Sequence, residues 1–380
     1  MADRESSRAN NFGALRLLFA YLVIVSHSSE LLDGNRSREP LTQVFGTLSF
    51  GGLAVFGFFL VSGYLITKSF ETSRTGADYL WKRVLRIYPG YVVAFMISLF
   101  VVGPLAGGDI WRAGAFVWLK NLKHLLFLQG PDLPGVFAGS YYPALNGSLW
   151  TIPYEFHCYL LVLIVGGLGG LSKRWAIATA TLALLTLSMV LPESLIHWAA
   201  SFEGIVGGLY ENVSFVAVFG CGACFYLFRD QIRFDARLAA AAGLLVSVLM
   251  FSEPFAMPAL AVFGGYILFW FAFSVRWRRL SSIGGRVDLS YGVYLYAFPI
   301  QKMLVLVHSS ISPWTVSGLT FVISSAFAWA SWSLVEKPAL TLRALAATRW
   351  RRPPGREPWS SLTLATNSLA ENDPSESLDK

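Results

Sequence analysis

An arginine and a histidine share one face of an apolar stretch near the start of the chain. The stretch reads NNFGALRLLFAYLVIVSHSSELL, at residues 10–32, with Arg16 on its early side and His27 on its late side. A separation of eleven residues is three helical turns plus about 20°, so both side chains lie on one helix face about 16 Å apart. Burying either group in hydrocarbon is costly, so both are candidate functional residues, and Glu30 lies one turn beyond His27, where it could hydrogen-bond the imidazole. Alternatively, Arg16 contacts lipid phosphates and His27 is a packing residue.

A pair of arginines precedes another apolar stretch. The sequence WKRVLRIYPGY puts Arg83 and Arg86 three residues apart, on the same side of a helix. Two guanidiniums on one face suit the recognition of a phosphate group. The alternative is an ordinary basic flank of a membrane span on its cytoplasmic side.

A carboxylate and a second histidine occur in NGSLWTIPYEFHCYLL. Glu155 lies about six residues into the apolar span, which is roughly 9 Å deep, and His27 lies roughly 8 Å deep in its own span. The matching depth predicts that Glu155 and His27 share one polar site. His157 points away from the Glu155 face, so a structural role is predicted for it.

The elements that must position these residues are membrane helices. The chain is 54% hydrophobic and 15% aromatic with only 14% charged residues, and a soluble protein of 380 residues could not cover this much apolar surface. Apolar stretches long enough to cross a bilayer predict an all-α polytopic membrane protein with about ten transmembrane helices. The predicted spans lie near residues 12–32, 46–68, 87–105, 149–168, 175–192, 212–228, 238–252, 257–275, 289–308 and 315–335.

The distribution of the 30 lysines and arginines predicts the orientation of these spans. When the N-terminus is placed in the cytoplasm, most of them fall in cytoplasmic segments, which gives both termini a cytoplasmic location. Residues 106–148 then form the longest extracytoplasmic segment, in which FVWLKNLKHLLFLQG is typical of an amphipathic helix at the membrane interface. The net charge of +7 therefore reflects topology, and no nucleic-acid partner is predicted.

Metal and redox chemistry are not indicated by the sequence. The five histidines are scattered without the spacing of metal ligands, so no metal site is predicted. Cys221 and Cys224 have the spacing of a redox motif, but they lie inside an apolar stretch that contains small residues. Helix packing is the favoured interpretation of both cysteines.

Six separated stretches resemble the acyltransferase-3 family of membrane O-acyltransferases, which modify bacterial surface and exported polysaccharides. In chain order they read NNFGALRLLFAYLVIVSH, FGFFLVSGYLITKS, KRVLRIYPGY, NGSLWTIPYEFHCYLL, LSYGVYLYAFPIQ and WSLVEKPAL. The resemblance extends from residue 10 to about residue 340. It implies a membrane domain over residues 1–340, followed by a cytoplasmic tail over residues 341–380 that is first basic and then disordered.

The resemblance also implies roles for individual residues. His27 corresponds to the family's essential histidine in the first span, and Arg16 to its partner arginine. Arg83 and Arg86 correspond to the paired arginines before the third span, where they would bind acyl-CoA together with Arg16. Glu155 falls on the acidic position of the fourth span and would act with His27 in catalysis.

Two positions depart from the family pattern. Relatives often carry an aspartate three residues before the first-span arginine, where this chain has Gly13, so the group that anchors Arg16 is left open. Many relatives also have a histidine in the ninth span where this chain has Ala297. A histidine at that position is therefore not required for the chemistry of this protein.

The function implied by the resemblance is O-acyl transfer across or within a bacterial inner membrane. An acyl group, expected to be acetyl, would pass from cytoplasmic acyl-CoA to a hydroxyl of a surface, exported or lipid-linked glycan. His27 would act as general base or would accept the acyl group itself, with Glu155 or Glu30 orienting the ring. No permanently bound cofactor is expected, and polysaccharide-assembly proteins are possible partners.

A different function class also accounts for the buried polar residues. In a transporter or flippase of a lipid-linked or anionic substrate, the arginines, His27 and Glu155 would relay protons or bind a head group. The sequence shows no pair of corresponding interrupted helices in its two halves, which is the pattern of many transporters built from inverted repeats.

Overall fold

The computed structural model describes residues 10–190, 208–275, 277–285 and 287–342. All regular secondary structure in these ranges is helical, which confirms the all-α fold class. Residues 343–380 lie outside the described ranges, and the disorder expected for the tail stays a prediction.

Thirteen helices are numbered here in chain order through the described ranges. They are α1 Phe12–Asp33, α2 Pro40–Phe45, α3 Phe50–Glu71, α4 Gly76–Leu105, α5 Ala115–Leu126, α6 Gly147–Gly167, α7 Arg174–Val190, α8 Leu209–Leu227, α9 Ala236–Leu249, α10 Glu253–Ser274, α11 Arg278–Ser282, α12 Ser290–Val307 and α13 Pro313–Leu342. Helices α4, α10 and α13 each include a π-helical turn, and α6 begins with a 3-10 turn.

Seven of these helices are long and apolar enough to span a membrane, whereas about ten spans were predicted. Each of the ten predicted stretches does contain a helix, but α7 has 17 residues up to the edge of the described range and α9 has 14, which is short for a bilayer core of about 30 Å. Helix α12 carries Gln301 and Lys302, which lower its hydropathy. The protein is therefore a multi-pass membrane protein, and the predicted count of ten is not confirmed.

Helices α1 and α3 pack side by side in opposite directions. A Cβ atom on Gly51 would lie 2.9 Å from the Ser26 hydroxyl oxygen, and one on Gly57 would lie 2.5 Å from the Phe19 ring. Ser26 therefore faces Gly51 and Phe19 faces Gly57. Because each residue advances a helix by about 1.5 Å, these two contacts allow depth in the bundle to be compared between helices.

Helix α12 runs parallel to α1. Near its start, Ser290 lies 3.3 Å from Arg16, and further along Gln301 donates a hydrogen bond to Ser28 at 2.8 Å. We call the end of the bundle that contains Arg16, Arg83 and Arg86 the arginine end. The opposite end, which contains His27 and Glu30, is the histidine end.

The segment between α4 and α6 packs at the histidine end. The predicted amphipathic helix is present as α5, and it exposes a row of apolar side chains: Phe116, Leu119, Leu122 and Leu126. The Lys302 ammonium on α12 donates a hydrogen bond to the Ser140 hydroxyl at 2.6 Å, and the Tyr142 hydroxyl donates one to the Gly34 carbonyl at 3.3 Å. This segment therefore lies against the ends of α1 and α12.

Candidate active site

The arginine end contains a cavity of about 330 Å³. Four of the residues singled out from the sequence line it, namely Arg16, Arg83, Arg86 and Glu155. The cavity continues toward the middle of the bundle, where Thr151 and Tyr294 line it and their hydroxyl oxygens lie 2.6 Å apart. A cavity with three guanidiniums in its wall is suited to an anion.

A single carboxylate holds two of these arginines. Asp288, in the loop before α12, accepts hydrogen bonds from Arg16 at 2.5 Å and from Arg86 at 2.7 Å. Burial alone would raise the pKa of this carboxyl, but the positive charges of Arg16 and Arg86 outweigh it and hold the pKa well below its usual range. Hydrogen bonds from the Ser290 hydroxyl and backbone N–H also stabilise the ionised form. Asp288 therefore fixes the positions of two guanidiniums.

Asp288 is the anchor of Arg16 that sequence analysis left open. An aspartate at position 13 could not take this role here, because a Cβ atom on Gly13 would lie 2.1 Å from the Ile283 carbonyl oxygen. The backbone of Gly284 also approaches Gly13 closely. The sequence signal for Asp288 was its position directly before the matched stretch LSYGVYLYAFPIQ, but nothing local links it to Arg16.

A second carboxylate missed by sequence reasoning lies on the other side of Arg86. Glu336, in the π-helical turn Trp332–Glu336, has an oxygen 3.8 Å from the Arg86 guanidinium. Glu336 is 3% exposed, and its Ser331 neighbour donates a hydrogen bond to the other carboxylate oxygen. Arg86 therefore has a hydrogen bond to Asp288 and a longer ion pair with Glu336.

Arg83 differs from its two neighbours. It donates a hydrogen bond to the Ser69 hydroxyl at 3.2 Å, and its guanidinium carbon lies 5.9 Å from the ring centroids of Tyr79 and Tyr159. It forms no ion pair with a carboxylate of the described residues, and its Nε is buried without a hydrogen-bond partner there. Arg83 is therefore the cavity arginine whose charge is not matched by a direct carboxylate contact in the described part of the chain.

Glu155 belongs to the arginine cavity, not to the surroundings of His27. Its carboxylate accepts hydrogen bonds from the Tyr159 hydroxyl at 2.5 Å and the Ser62 hydroxyl at 3.0 Å. The predicted pairing with His27 is wrong because the span was taken to start at the membrane surface. Gly147, at the start of α6, already lies against Phe298. Eight further residues carry Glu155 about 12 Å deeper, toward the arginine end.

His27 is paired with Glu30 at the histidine end. The imidazole Nδ1 lies 2.9 Å from one Glu30 oxygen, and Arg36 lies 3.1 Å from the other. A proton on Nδ1 that is donated to the carboxylate leaves the other ring nitrogen, Nε2, with its lone pair available. The His27 side chain is 19% exposed, so this lone pair belongs to a partly accessible ring. The arrangement is that of an oriented base.

Other chemistry-bearing side chains do not form a site in the described residues. No group of three or more His, Cys, Asp or Glu side chains there could hold a metal ion. Cys221 is buried and Cys224 lies 3.8 Å from the Thr181 hydroxyl, among residues of the α7 and α8 interface. Their contacts are those of packing residues.

Comparison with known proteins places these features in a family. Residues 10–334 match the acyltransferase-3 family, described as an acyltransferase domain. The chain belongs to the acyltransferase-3 family. All six site residues predicted from the sequence, and the newly found Asp288, lie within the matched range. The family assignment makes this acyltransferase-3 protein a membrane O-acyltransferase.

Two relatives align over nearly their whole length, and a third aligns over 29% of its own length. An O-acetyl transferase of Shigella phage Sf6 is 30% identical over 88% of this chain and 97% of the relative. Nodulation protein 10 of Rhizobium leguminosarum bv. viciae is 28% identical over 91% of this chain and 97% of the relative. A Streptomyces mycarofaciens acyltransferase, MdmB, is 29% identical over 31% of this chain. No solved structure shows significant similarity.

Proposed function

We propose that this acyltransferase-3 protein moves an acetyl group from acetyl-CoA to a hydroxyl of a surface, exported or lipid-linked glycan. The observation that carries the proposal is the placement of Arg83, without a carboxylate partner in the described residues, in the wall of a cavity that leads toward His27. An acyl-CoA carries phosphates at one end and a reactive thioester at the other. The arginines of the cavity match the phosphates, and His27 at the opposite end of the bundle matches the thioester.

The phosphates of the donor bind at the arginine end. Arg83 supplies a guanidinium that no carboxylate of the described residues pairs with, and it gains an ion pair when a phosphate enters. Arg16 and Arg86 are held by Asp288 at fixed positions, so they contribute a positive potential without having to be ordered on binding. The pantetheine arm then follows the cavity toward Tyr294 and His27.

The transfer step takes place beside His27. Nε2 accepts the proton of the acceptor hydroxyl while the hydroxyl oxygen attacks the thioester carbonyl carbon. The carbon–sulfur bond breaks, an ester forms on the acceptor, and the proton ends on the released thiol of CoA. Glu30 holds the ring through Nδ1 and stabilises the imidazolium that forms in between.

Different observations support acetyl as the group transferred and a glycan as the acceptor. The relative from Shigella phage Sf6 is named an O-acetyl transferase, which supports acetyl as the group transferred. The glycan acceptor is supported by the resemblance to a family that modifies bacterial polysaccharides, and the partly exposed His27 ring is compatible with it. Polysaccharide-assembly proteins are the proposed partners, because they would deliver such an acceptor.

The arginine end is assigned to the cytoplasmic side of a bacterial inner membrane. Acyl-CoA is made in the cytoplasm, and most lysines and arginines fall on that side when both termini are cytoplasmic. Reporter fusions after Gly135 and after Arg352 test this assignment. A cytoplasmic signal from the Gly135 fusion would contradict it, because Gly135 lies in the segment that packs at the histidine end.

The activity itself is tested with purified protein, radiolabelled acetyl-CoA and a glycan acceptor. The expected result is alkali-labile label on the glycan together with an equal amount of free CoA. Label that appears only when both substrates are present distinguishes transfer from hydrolysis. Movement of substrate into the lumen of proteoliposomes without any ester would instead indicate the transporter or flippase.

A further inference from the structure

One face of α12 follows the whole path from the arginine end to the histidine end. Tyr291, Tyr294, Phe298 and Lys302 recur at spacings of three or four residues and so share that face. The Arg86 guanidinium lies 5.5 Å from the Tyr291 ring centroid, and Tyr294 lines the cavity. Phe298 is the next side chain along this row, one helical turn beyond Tyr294.

The cavity stops about one helical turn short of His27. Val55 on α3 is the cavity residue nearest the start of that helix, four residues after Gly51. Gly51 faces Ser26, which directly precedes His27. Four helical residues plus one give an axial gap of about 7 Å between the Val55 level and His27. The donor cannot reach the imidazole unless its acyl end enters this gap.

The Phe298 ring lies at the depth of this gap, one helical turn beyond the cavity residue Tyr294. It packs edge-on against the imidazole of His27, with 5.7 Å between ring centroids, and it is 5% exposed. The backbone of Gly147 also lies against this ring, because a Cβ atom there would come within 2.5 Å of it. The ring is therefore confined between the start of α6 and the candidate base.

The chemistry of transfer places the acyl group in the same region. An acceptor oxygen within about 3 Å of the base and about 3 to 3.5 Å from the carbonyl carbon leaves that carbon roughly 6 Å from the imidazole at most. The Phe298 ring centroid is at a comparable distance from the His27 ring. The acyl substituent and the phenyl ring therefore compete for one volume, and a short substituent displaces the ring least.

We propose that Phe298 sets the length of the acyl chain that this enzyme transfers, by filling the space between the cavity and His27. The proposal rests on the proposed acyl-CoA donor and adds a determinant of its acyl group. With phenylalanine at this position the site takes acetyl. A smaller side chain there opens room for a chain of four to six carbons.

The test compares acetyl-CoA, butyryl-CoA and hexanoyl-CoA as donors for wild type and Phe298→Ala, with acyl ester and free CoA as readouts. Because each methylene in a fitted apolar pocket changes selectivity by about 10-fold or more, the ratio of kcat/KM for hexanoyl-CoA to that for acetyl-CoA should rise at least about 10-fold in the variant. Phe327→Ala is the matched control, since Phe327 packs on Tyr296 at another face of α12 and is 45% exposed. Its donor ratio should equal that of wild type.

An unchanged donor ratio in Phe298→Ala would overturn the proposal. If Phe298→Ala does not accumulate in membranes, Phe298→Leu and Phe298→Val provide smaller reductions in size, and both should shift the ratio in the same direction. If these variants accumulate without turnover, affinities for the non-reactive S-hexyl-CoA and S-ethyl-CoA replace the rates, and an unchanged affinity ratio counts against the proposal. Wild type that forms ester with none of the donors would instead refute the acyl-CoA function.

Discussion

The two ends of the bundle differ in the basic groups that a shared carboxylate holds at each end. At the arginine end, Arg16 and Arg86 share Asp288, so their positions are fixed before any ligand arrives. At the histidine end, one imidazole is held by one carboxylate, and that carboxylate is shared with the half-exposed Arg36. The difference indicates that the arginine end is built to bind an anion and the histidine end to move a proton.

The largest effect is expected from removal of the base at the histidine end, His27. His27→Ala should lower acyl transfer by about 100 to 10,000-fold, because a positioned general base contributes a factor of this size. Affinity for acetyl-CoA should stay close to that of wild type, since the phosphates bind about 16 Å away at the arginine end. Ester formation and CoA binding are measured at equal membrane levels. His308→Ala, which removes an exposed histidine, is the control. Near-normal transfer by His27→Ala would show that proton transfer occurs elsewhere.

Asp288→Asn removes the negative charge that Arg16 and Arg86 share while nearly keeping the shape of the side chain. The substitution removes the full negative charge beside Arg16 and leaves Arg86 with the more distant Glu336, and breaking such a partly buried pair costs about 3 to 5 kcal/mol of folding stability. Because the folded pKa of Asp288 is depressed, its contribution is complete above about pH 4, the ordinary aspartate value, and is lost as the pH falls through the folded pKa. Thermal unfolding in detergent measures the loss at neutral pH. Asp230→Asn, at an exposed aspartate, should unfold like wild type, and an equally stable Asp288→Asn would argue against the shared carboxylate.

A smaller effect is expected from removal of Arg83, which has no carboxylate partner in the described residues. Arg83→Ala removes one charge-assisted contact to phosphate, worth about 1.5 to 3 kcal/mol, or roughly 10 to 150-fold in donor affinity. Arg83→Lys should recover part of the loss because the charge remains but the fork of donors does not. Isothermal titration with acetyl-CoA gives the affinities. Lys68→Ala removes an exposed cation at the same end of the bundle and should have little effect. Equal affinities of Arg83→Ala and wild type for acetyl-CoA would contradict the proposal that the donor phosphates bind at the arginine end.

The smallest effect tests the packing that brings Asp288 to Arg16. Gly13→Ala places a methyl group 2.1 Å from the Ile283 carbonyl oxygen, so the backbone before α12 must shift. Overpacking of this kind costs about 1 to 3 kcal/mol, seen as a lower unfolding temperature. Gly318→Ala is the control, because a Cβ atom there meets no other group within 4 Å. A Gly13→Ala protein as stable as the control would show that this contact is looser than the structure indicates.

Features encoded locally were predictable from the sequence. The all-α class, the helices at the ten apolar stretches and the amphipathic α5 follow from hydropathy and periodicity, which depend only on neighbouring residues. The proximity of Glu30 to His27 was also predictable, since the two are one helical turn apart.

Features that depend on how helices enter and cross the bundle were not predictable. The depth of Glu155 was misjudged because hydropathy does not reveal that the chain at Gly147 is already inside the bundle. Asp288 was missed because it meets Arg16 across 272 residues of sequence. The predicted count of ten spans is not confirmed, because α7 and α9 are short in the described residues and α12 is less apolar than the other long helices. The depth of Glu155 and the contact of Asp288 with Arg16 both concern a relation between distant segments.

The close approach of Gly13 to Ile283 and Gly284 also constrains how this family can diversify. An aspartate can enter position 13 only after the facing backbone has moved, and Asp288 becomes dispensable only once such an aspartate is present. Every single substitution between the two arrangements passes through a protein with a steric clash or an uncompensated arginine. Lineages should therefore inherit one arrangement or the other as a unit, and positions 13 and 288 should covary in the phylogeny of the family.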